Sequence, residues 1–397
     1  MQQIYEGWQI TLLTLAVVWI VLMFLSFGIP GLLYLVLKNA SKRPWRLKID
    51  RGYSPSVSII VPTYNEASVI KHKIENLAKL EYPKELKQII VVDSNSTDGT
   101  IDSVEAFAMQ HQDMSIETLV QSERKGKTAA LNYALKSCRG DVIIVSDADC
   151  FWPSDILRRT LPYLADTQIS AVSGPKILLN PDQSWVTRTE DSYLKSVNLM
   201  KLGESKIDST LLFEGGFSAY KRNVLHSFDP YNTGSDDCGT IIHVTERGSR
   251  AIMVPDAEFF TTFPITYKGK INIKARRTTQ LARVFATYLK LLLLNRIKSS
   301  RGVVLRNIFM YLLNPLIFLM FLIATGYLLL SIPYIVLVLF VFLIPKIGSL
   351  IFEIVQSNLL LFLGFLALIG NRRIVFWSKP EDRAHLTEKM LLERALI

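Results

Sequence analysis

The stretch that decides the fold reads Asp141-Val142-Ile143-Ile144-Val145-Ser146-Asp147-Ala148-Asp149. Its apolar run predicts a buried strand, so Asp147 and Asp149 would emerge together at the carboxyl edge of a sheet, where open α/β sheets bind their ligands. Two carboxylates this close repel each other unless a cation lies between them and a partner. Because Mg²⁺ and Mn²⁺ favour one or two carboxylates together with phosphate oxygens, the spacing indicates a metal-bridged nucleotide diphosphate. The same triplet, taken alone, is more often a solvated turn.

Strands and helices alternate on the amino-terminal side of this motif. The pattern predicts strands over 57–61, 88–92 and 115–120, and helices over 66–80, 97–110 and 127–137. Ser96 or Thr97 is expected to cap the second of these helices. Such alternation is typical of an α/β fold, in which helices cover both faces of a mostly parallel sheet.

Apolar residues are concentrated at the two ends of the chain, whose mean hydropathy is +0.25. From Trp8 to Leu37 the sequence carries no charge, and such a helix is long enough to cross about 30 Å of hydrocarbon. A signal peptide is the alternative, but the amino end lacks Lys and Arg and no small-residue cleavage site follows. We therefore predict a retained transmembrane helix over residues 1–40.

The second apolar block, residues 303–370, predicts two or three further membrane helices. Turn-forming breaks at Ser331-Ile332-Pro333 and Pro345-Lys346-Ile347-Gly348 divide it. Residues 371–397 would form a tail, which lies inside if two helices cross and outside if three do. Within the block, Lys346 and Glu353 are costly at membrane depth, so they are expected near an interface or inside the helix bundle.

The net charge of +10 also points to a membrane. Much of the excess flanks apolar spans, where anionic lipid attracts it, so a membrane surface fits better than nucleic acid. The basic segment that follows the first span places residues 52–300 in the cytoplasm by the positive-inside rule. Neither the three cysteines nor the five histidines show a spacing that requires a disulfide or a zinc site.

Polar residues gather at the carboxyl end of each predicted strand or before the next helix, in the segments 62–66, 93–100, 124–127 and 147–149. This ordered set, over residues 56–283, resembles the family 2 glycosyltransferases of the GT-A fold. The similarity is to the membrane-bound branch with hyaluronan, chitin, cellulose and poly-N-acetylglucosamine synthases. The resemblance implies a nucleotide-sugar site formed by Pro62, Thr63, Tyr64, Glu66, Asp93, Lys127 and Asp147. In this site Thr63, Tyr64 and Glu66 would line the uridine pocket, Asp93 would bind the base and Lys127 would approach the diphosphate. Asp149 would hold Mn²⁺ or Mg²⁺, and Asp147 would contact the ribose or the metal shell.

The resemblance extends to two segments of the acceptor half. A glycine pair in an apolar setting, Gly215-Gly216, allows a sharp bend or a close approach to a ligand. The resemblance implies that Gly215, Gly216 and Phe217 lie under an acceptor sugar. It also places a catalytic base in the second member of an acidic pair, here Asp237 beside Asp236, although such a pair could simply be a helix charge cap.

The arginine-rich segment that follows departs from the family signature Gln-x-x-Arg-Trp. Either Lys274–Thr278 or Gln280–Val284 would correspond to it, and both lack the tryptophan, so processivity is in doubt. Arg276 or Arg277 could neutralise the leaving diphosphate, a role that suits arginine. The alternative is a basic interfacial helix, and residues 281–298 are amphipathic enough to lie along a membrane surface.

These patterns together predict a membrane-embedded, inverting glycosyltransferase with a cytoplasmic catalytic domain, multi-pass in the plasma membrane. It would move a hexose or N-acetylhexosamine from a UDP-sugar to a polysaccharide or a lipid-linked glycan, as a monomer or an oligomer. One alternative is a polyprenyl-phosphate (dolichyl-phosphate) sugar synthase. The other is an inactive nucleotide-binding membrane scaffold, which the retained aspartates argue against.

Overall fold

The computed structural model describes residues 2–331, 345–370 and 386–397 of the 397-residue chain. Within these residues the strands are β1 (Val57–Thr63), β2 (Lys87–Asp93), β3 (Ser115–Val120), β4 (Val142–Val145), β5 (Ile169–Ser173), β6 (Lys176–Leu178), β7 (Ser218–Lys221), β8 (Arg250–Met253) and β9 (Phe259–Thr261). The α-helices are α1 (Gln2–Met23), α2 (Ile29–Ser41), α3 (Ala67–Ala78), α4 (Thr100–Gln110), α5 (Lys127–Ala134), α6 (Ile156–Thr160), α7 (Trp185–Ile207), α8 (Cys238–Glu246), α9 (Tyr267–Leu293), α10 (Arg301–Ile308), α11 (Asn314–Ser331), α12 (Pro345–Ile369) and α13 (Glu388–Leu392).

The central sheet has seven strands in the order β3-β2-β1-β4-β7-β5-β8. Strands β1 to β4 are parallel to one another, as the alternating pattern predicts, whereas β7 is antiparallel to both of its neighbours. A second, two-stranded sheet pairs β6 with β9. The mixed α/β fold is therefore confirmed, and the departure from parallel pairing lies in the half of the chain after β4.

Alternate residues of β1 and β4 face two separate apolar cores, and the central isoleucines of both strands are fully buried. Ile60 and Ile143 belong to the core that includes residues of α5, α8 and α9. Ile59 and Ile144 belong to the opposite core, with residues of α3, α4 and α6. Because successive strand residues point to opposite faces, an uninterrupted apolar run fits a strand that is covered on both sides.

The cap predicted for α4 is wrong. The helix starts at Thr100, after Gly99 with φ of +83°. Ser96 instead donates its hydroxyl to Asp93, and the Thr97 N–H donates to the side chain of Asn65. The loop between β2 and α4 therefore folds back onto the strand end, and Asp98 accepts the Thr100 N–H in place of the predicted cap.

Three helical stretches of the described residues are long and apolar enough to cross a membrane: Leu12–Ser41, Arg301–Ser331 and Ile351–Ile369. One lies near the amino terminus, and two lie within residues 303–370. Of the two predicted breaks in that block, residues 345–348 form the first turn of α12, with Pro345 at the start, where proline is favoured. The other break falls largely on residues 332–344, which lie outside the described residues, as do Arg372, Arg373, Lys379 and Arg383 of the tail.

These apolar helices pack against one another and against helices of the α/β region. The Trp19 indole of α1 donates to Thr325 of α11 at 2.8 Å, and a β-carbon at Gly203 of α7 would lie 2.2 Å from the Leu37 carbonyl of α2. On α12, Glu353 pairs with Lys270 and Lys274 of α9. Glu353 thus lies between α12 and α9, where the two lysines supply its counter-charge.

Candidate active site

Lys127 connects the two aspartate motifs that the sequence singles out. It is the first residue of α5, and its ammonium lies 2.7 Å from Asp147 Oδ1 and 2.8 Å from Asp236 Oδ2. Burial favours the neutral amine, but the negative charges of Asp147, Asp236 and Asp237 outweigh it and raise the pKa of Lys127 well above its ordinary value. A permanent cation therefore lies between the end of β4 and the start of α8.

Gly215 makes this arrangement sterically possible. Its carbonyl accepts the Asp147 N–H at 3.0 Å. A β-carbon on Gly215 would lie 2.4 Å from the Lys127 ammonium and 2.9 Å from Asp147 Oδ2, closer than van der Waals contact allows. Glycine at this position thus lets the backbone approach the charged pair.

The carboxylates after β4 suit a divalent cation. Ligand atoms of Asp147, Asp149 and Cys150 all lie within 4.8 Å of one another. Burial and the adjacent aspartates raise the pKa of the Cys150 thiol well above its ordinary value, so it stays protonated and faces Asp149 as a weak donor. The remaining donor atoms are carboxylate oxygens, which are the ligands that Mg²⁺ and Mn²⁺ prefer.

The ends of β1 and β2 meet beside this edge through Thr63 and Asp93. Asp93 is 1% exposed. Its Oδ1 accepts the hydroxyls of Thr63 and Ser96, and its Oδ2 accepts the Ser96 N–H at 2.7 Å. A bond from a base to Asp93 would have to compete with these partners.

Other residues of the predicted nucleotide pocket are more accessible. The Arg124 guanidinium lies 3.8 Å from the ring centre of the exposed Tyr64, so the loop before α5 covers the residue after β1. Pro62 is the penultimate residue of β1, and the N–H of Glu66, just before α3, donates to Thr100. The predicted residues therefore line one side of the same edge.

The two aspartates of the pair before α8 contact different partners. Asp236 forms an ion pair with Lys127, and burial raises the pKa of Asp236 above its ordinary value. Asp237 Oδ1 accepts the Cys238 N–H at 2.7 Å and the Ser235 hydroxyl, so Asp237 is also the cap of α8. The cap fixes the orientation of this carboxylate beside the Lys127 bridge.

The arginine pair lies on the long helix α9, which begins at Tyr267 and ends at Leu293. The helix thus begins fourteen residues before the predicted interfacial segment. Arg276, Gln280 and Arg283 line a cavity of about 380 Å³ together with the first turn of α5 and Asp236. Arg277 points to another partner, because its guanidinium lies 3.2 Å from Glu214. Arg276 therefore faces the cavity, whereas Arg277 is paired with Glu214.

Glu214 and Lys201 belong to the site but were not predicted. Glu214 is buried and accepts Lys201 at 2.6 Å as well as Arg277. Although burial opposes ionisation, these two cations hold the pKa of Glu214 well below its ordinary value. The available signal was a lone glutamate between Phe213 and the glycine pair, inside an otherwise apolar segment.

Two expectations for the acceptor segment need correction. Phe217 is fully buried and packs edge-on against Trp152, so its side chain belongs to the core and cannot contact an acceptor. Gly216 faces the ring of Phe259, which a β-carbon would approach to 2.1 Å, so this glycine allows core packing.

Of the two candidate signature segments, Lys274–Thr278 has both ends buried, with Lys274 paired to Glu190 and Glu353. Gln280 and Arg283 face the cavity.

The chain belongs to the family described as Glycosyltransferase like family 2, which it matches over residues 55–279. This confirms the family and the enzyme class expected from the sequence. Enzymes of this family transfer a sugar from a nucleotide-sugar donor.

Individual relatives are also named as glycosyl-transferring enzymes, but their names give different sugars or products. The chain is 33% identical over 134 residues to a Beta-monoglucosyldiacylglycerol synthase of Synechocystis sp., covering 34% of this chain and 28% of that protein. It is 27% identical over 234 residues to an N-acetylglucosaminyltransferase of Rhizobium meliloti, covering 56% and 54%. The chain thus spans about half or less of the length of these curated relatives.

A solved structure covers more of the chain. The mannosyltransferase of Pyrobaculum calidifontis, in complex with GDP-Man and Mn²⁺, is 28% identical with a TM-score of 0.77. The match covers 90% of this chain and 100% of that one. The similarity therefore includes the apolar helices as well as the catalytic fold.

Proposed function

We propose that the protein is a membrane-embedded, metal-dependent, inverting glycosyltransferase with a cytoplasmic catalytic domain. The observation that carries the proposal is the Lys127 bridge between Asp147 and Asp236. It brings the edge where a donor diphosphate would bind next to the acidic pair that would activate an acceptor. A lysine side chain spans this gap, so donor and acceptor groups would meet within one small region.

Each charged group of the site then has a separate task. Asp149 and Asp147 would hold a divalent cation, which supplies positive charge to the leaving diphosphate. Asp237, oriented by its helix-capping bonds, would accept the proton of the acceptor hydroxyl, since a positioned base makes a poor nucleophile reactive. Arg276 and Lys127 add positive charge where negative charge develops on the diphosphate.

The donor is a nucleotide hexose or N-acetylhexosamine. The uridine pocket implied by the family resemblance favours a UDP-sugar. The relative crystallised with GDP-Man and Mn²⁺ supports a GDP-hexose and Mn²⁺ as the other candidates. Both nucleotides belong in a donor screen, with hexose and N-acetylhexosamine forms of each.

The membrane arrangement supports a lipid-linked acceptor. Residues 386–397 pack on the catalytic domain, which supports an even number of crossings after it, formed by the stretch 301–331 and by α12. With the amino-terminal helix this gives three candidate spans among the described residues, which are few for a channel that conducts a polymer. A short glycan on a lipid carrier, at the plasma membrane, fits this architecture better than a long polysaccharide.

A second candidate, a polyprenyl-phosphate sugar synthase, is favoured by the charge of the cavity beside Asp236. Its lining contains four basic and two acidic side chains, namely Lys125, Lys127, Arg276, Arg283, Asp229 and Asp236. None of Thr63, Tyr64, Asp93 and Asp149 lines it. A net positive cavity on the acceptor side of Lys127 suits an acceptor phosphate.

The test of the first proposal is Asp237→Asn in the purified full chain. Loss of a general base is expected to lower transfer by about 10²–10⁴-fold, while binding of UDP or GDP persists. Asp155→Asn, at the start of α6, is the matched control and should keep wild-type transfer. Transfer by Asp237→Asn at the wild-type rate would remove the base role.

Radiolabelled UDP- and GDP-sugars, supplied to membranes, identify donor and acceptor together. Label in a lipid-linked glycan supports the first candidate, and a sugar-phosphoprenol supports the second. EDTA is expected to stop transfer and Mn²⁺ or Mg²⁺ to restore it. Full transfer in EDTA would contradict the metal role of Asp149.

A further inference from the structure

Residues 386–397, here called the clasp segment, return to the catalytic domain and pack behind the metal motif. Leu391 and Leu396 are buried against Phe151 and Phe260. The cluster that they form is separate from the two large cores of the sheet. The clasp segment therefore supplies about half of a small apolar cluster that begins two residues after Asp149.

The chain around Asp149 depends on such tertiary contacts because it lies outside the strands and helices. Behind it, Phe151 exchanges two backbone hydrogen bonds with Phe260, both at 2.8 Å. Lys73 donates its ammonium to the Cys150 carbonyl at 2.6 Å. These bonds hold the backbone that carries Asp149 at the edge of the sheet.

Asn76 joins the same backbone directly to the clasp segment. Its oxygen accepts the Trp152 N–H at 2.9 Å, and its nitrogen donates to the carbonyls of both Trp152 and Leu396 at 2.7 Å. Asn76 thus uses one amide to connect the metal-motif backbone with a residue 320 positions away in the sequence. Arg394 adds a contact over the ring of Phe260.

We propose that the clasp segment is a positioning element for the metal motif. By covering Phe151 and completing the bonds of Asn76, it fixes the backbone from Asp149 to Trp152 and so the direction of the Asp149 carboxylate. Partners behind a metal ligand orient it and set its affinity for the ion. Without the clasp segment, Phe151 and Phe260 would be exposed, and the ligand would lose this support. The inference rests on the metal role of Asp149 in the proposed function.

The test compares Mn²⁺ binding in full-length variants. Leu391→Ala with Leu396→Ala removes the apolar contacts but keeps the backbone. Leu391→Met with Leu396→Met conserves volume and is expected to restore binding. Leu291→Ala, a buried leucine of α9 in the core on the other face of the sheet, is the matched control for general loss of stability. Leu396→Ala alone replaces the double variant if that one does not fold.

Binding is read from the electron paramagnetic resonance signal of free Mn²⁺, in the presence of UDP or GDP and without transfer. The double alanine variant is expected to bind Mn²⁺ about 10-fold more weakly, and its transfer should recover at high Mn²⁺. Leu291→Ala should bind Mn²⁺ like the wild type. Equal affinity in the double alanine variant and the wild type would overturn the inference alone. A wild-type protein that binds no Mn²⁺ with either nucleotide would overturn the proposed function and this inference with it.

Discussion

Asp93 and Glu214 are both buried carboxylates beside the candidate site, but different kinds of partner hold them. On the donor side, Asp93 accepts two hydroxyls and one backbone N–H, all of them neutral. On the acceptor side, Glu214 accepts two cations, Lys201 and Arg277. On the donor side, neutral hydrogen bonds thus hold a loop in place, whereas on the acceptor side a buried carboxylate holds two cations in place.

This difference fits the chemistry proposed for each side. A nucleotide pocket needs a stable loop and gains little from extra charge. The region where the acceptor would be activated, beside the Lys127 bridge, needs charged side chains in fixed positions, because preorganised charge stabilises a transition state without rearrangement. Glu214 holds Arg277 in this way, although the neutral state of a carboxylate would be favoured by burial alone.

The largest effect is expected from Glu214→Gln. The change leaves the buried Lys201 without its counter-charge, and breaking a buried pair typically costs 3–5 kcal/mol. Because Arg277 is 41% exposed, we expect the lower end, about 3 kcal/mol, measured as a loss of thermal stability in detergent. Glu123→Gln breaks the exposed pair with Lys125 and should change stability little. Equal effects of the two variants would contradict the comparison.

The same variant predicts a pH effect with a defined sign. The pKa of Glu214 is lowered from 4.5 in the folded protein, so below about pH 4.5 the unfolded chain binds more protons. The stabilisation from Glu214 is therefore complete above this pH and is lost as the pH falls towards the folded-state pKa. The stability gap between wild type and Glu214→Gln should narrow below pH 4.5, and a constant gap would show that folding does not lower the pKa of Glu214.

An intermediate effect is expected from Gly215→Ala. The new β-carbon would displace the Lys127 ammonium, which is the mobile end of a flexible side chain, so the fold survives at a cost of about 1–3 kcal/mol. Donor affinity should fall because Lys127 leaves Asp147. In Gly302→Ala the new β-carbon meets open space within α10, so that variant should keep nucleotide binding. Calorimetry with UDP and GDP measures both variants, and unchanged binding in Gly215→Ala would remove Lys127 from the donor site.

The donor half could be predicted from the sequence because its signals are local. Strands β1, β2 and β4 contain short apolar runs, β3 mixes polar and apolar residues, and each polar segment directly follows its strand or precedes its helix. The sheet then brings these segments together without further information. Within this half, the α4 cap is wrong because Ser96 bonds back to Asp93 at the end of β2 and Thr97 bonds to Asn65, 32 residues earlier, which a helix-cap pattern does not reveal.

The acceptor half was less predictable because its key pairs join distant elements. Glu214 meets Lys201 of α7 and Arg277 of α9, and neither spacing follows a helix or strand period. The family resemblance places Phe217 under an acceptor sugar together with the glycines, yet this residue directly precedes the antiparallel strand β7 and packs in the core. The packing of residues 386–397 behind Asp149 likewise has no local signal.

The smallest effect is expected from Asp93→Asn, the neutral counterpart of the Glu214 test. The new amide can keep its oxygen towards the Ser96 N–H and turn its nitrogen towards the Thr63 and Ser96 hydroxyls, which rotate to accept. One rearranged buried bond costs about 1 kcal/mol, which a thermal shift in detergent measures against Asp102→Asn in the exposed first turn of α4. UDP affinity is a second measurement. It should change little in Asp93→Asn, because bonds to Thr63 and Ser96 already engage both oxygens of Asp93. A loss of UDP affinity above about tenfold, equivalent to 1.4 kcal/mol, would show that the loop opens and that the carboxylate binds the base directly.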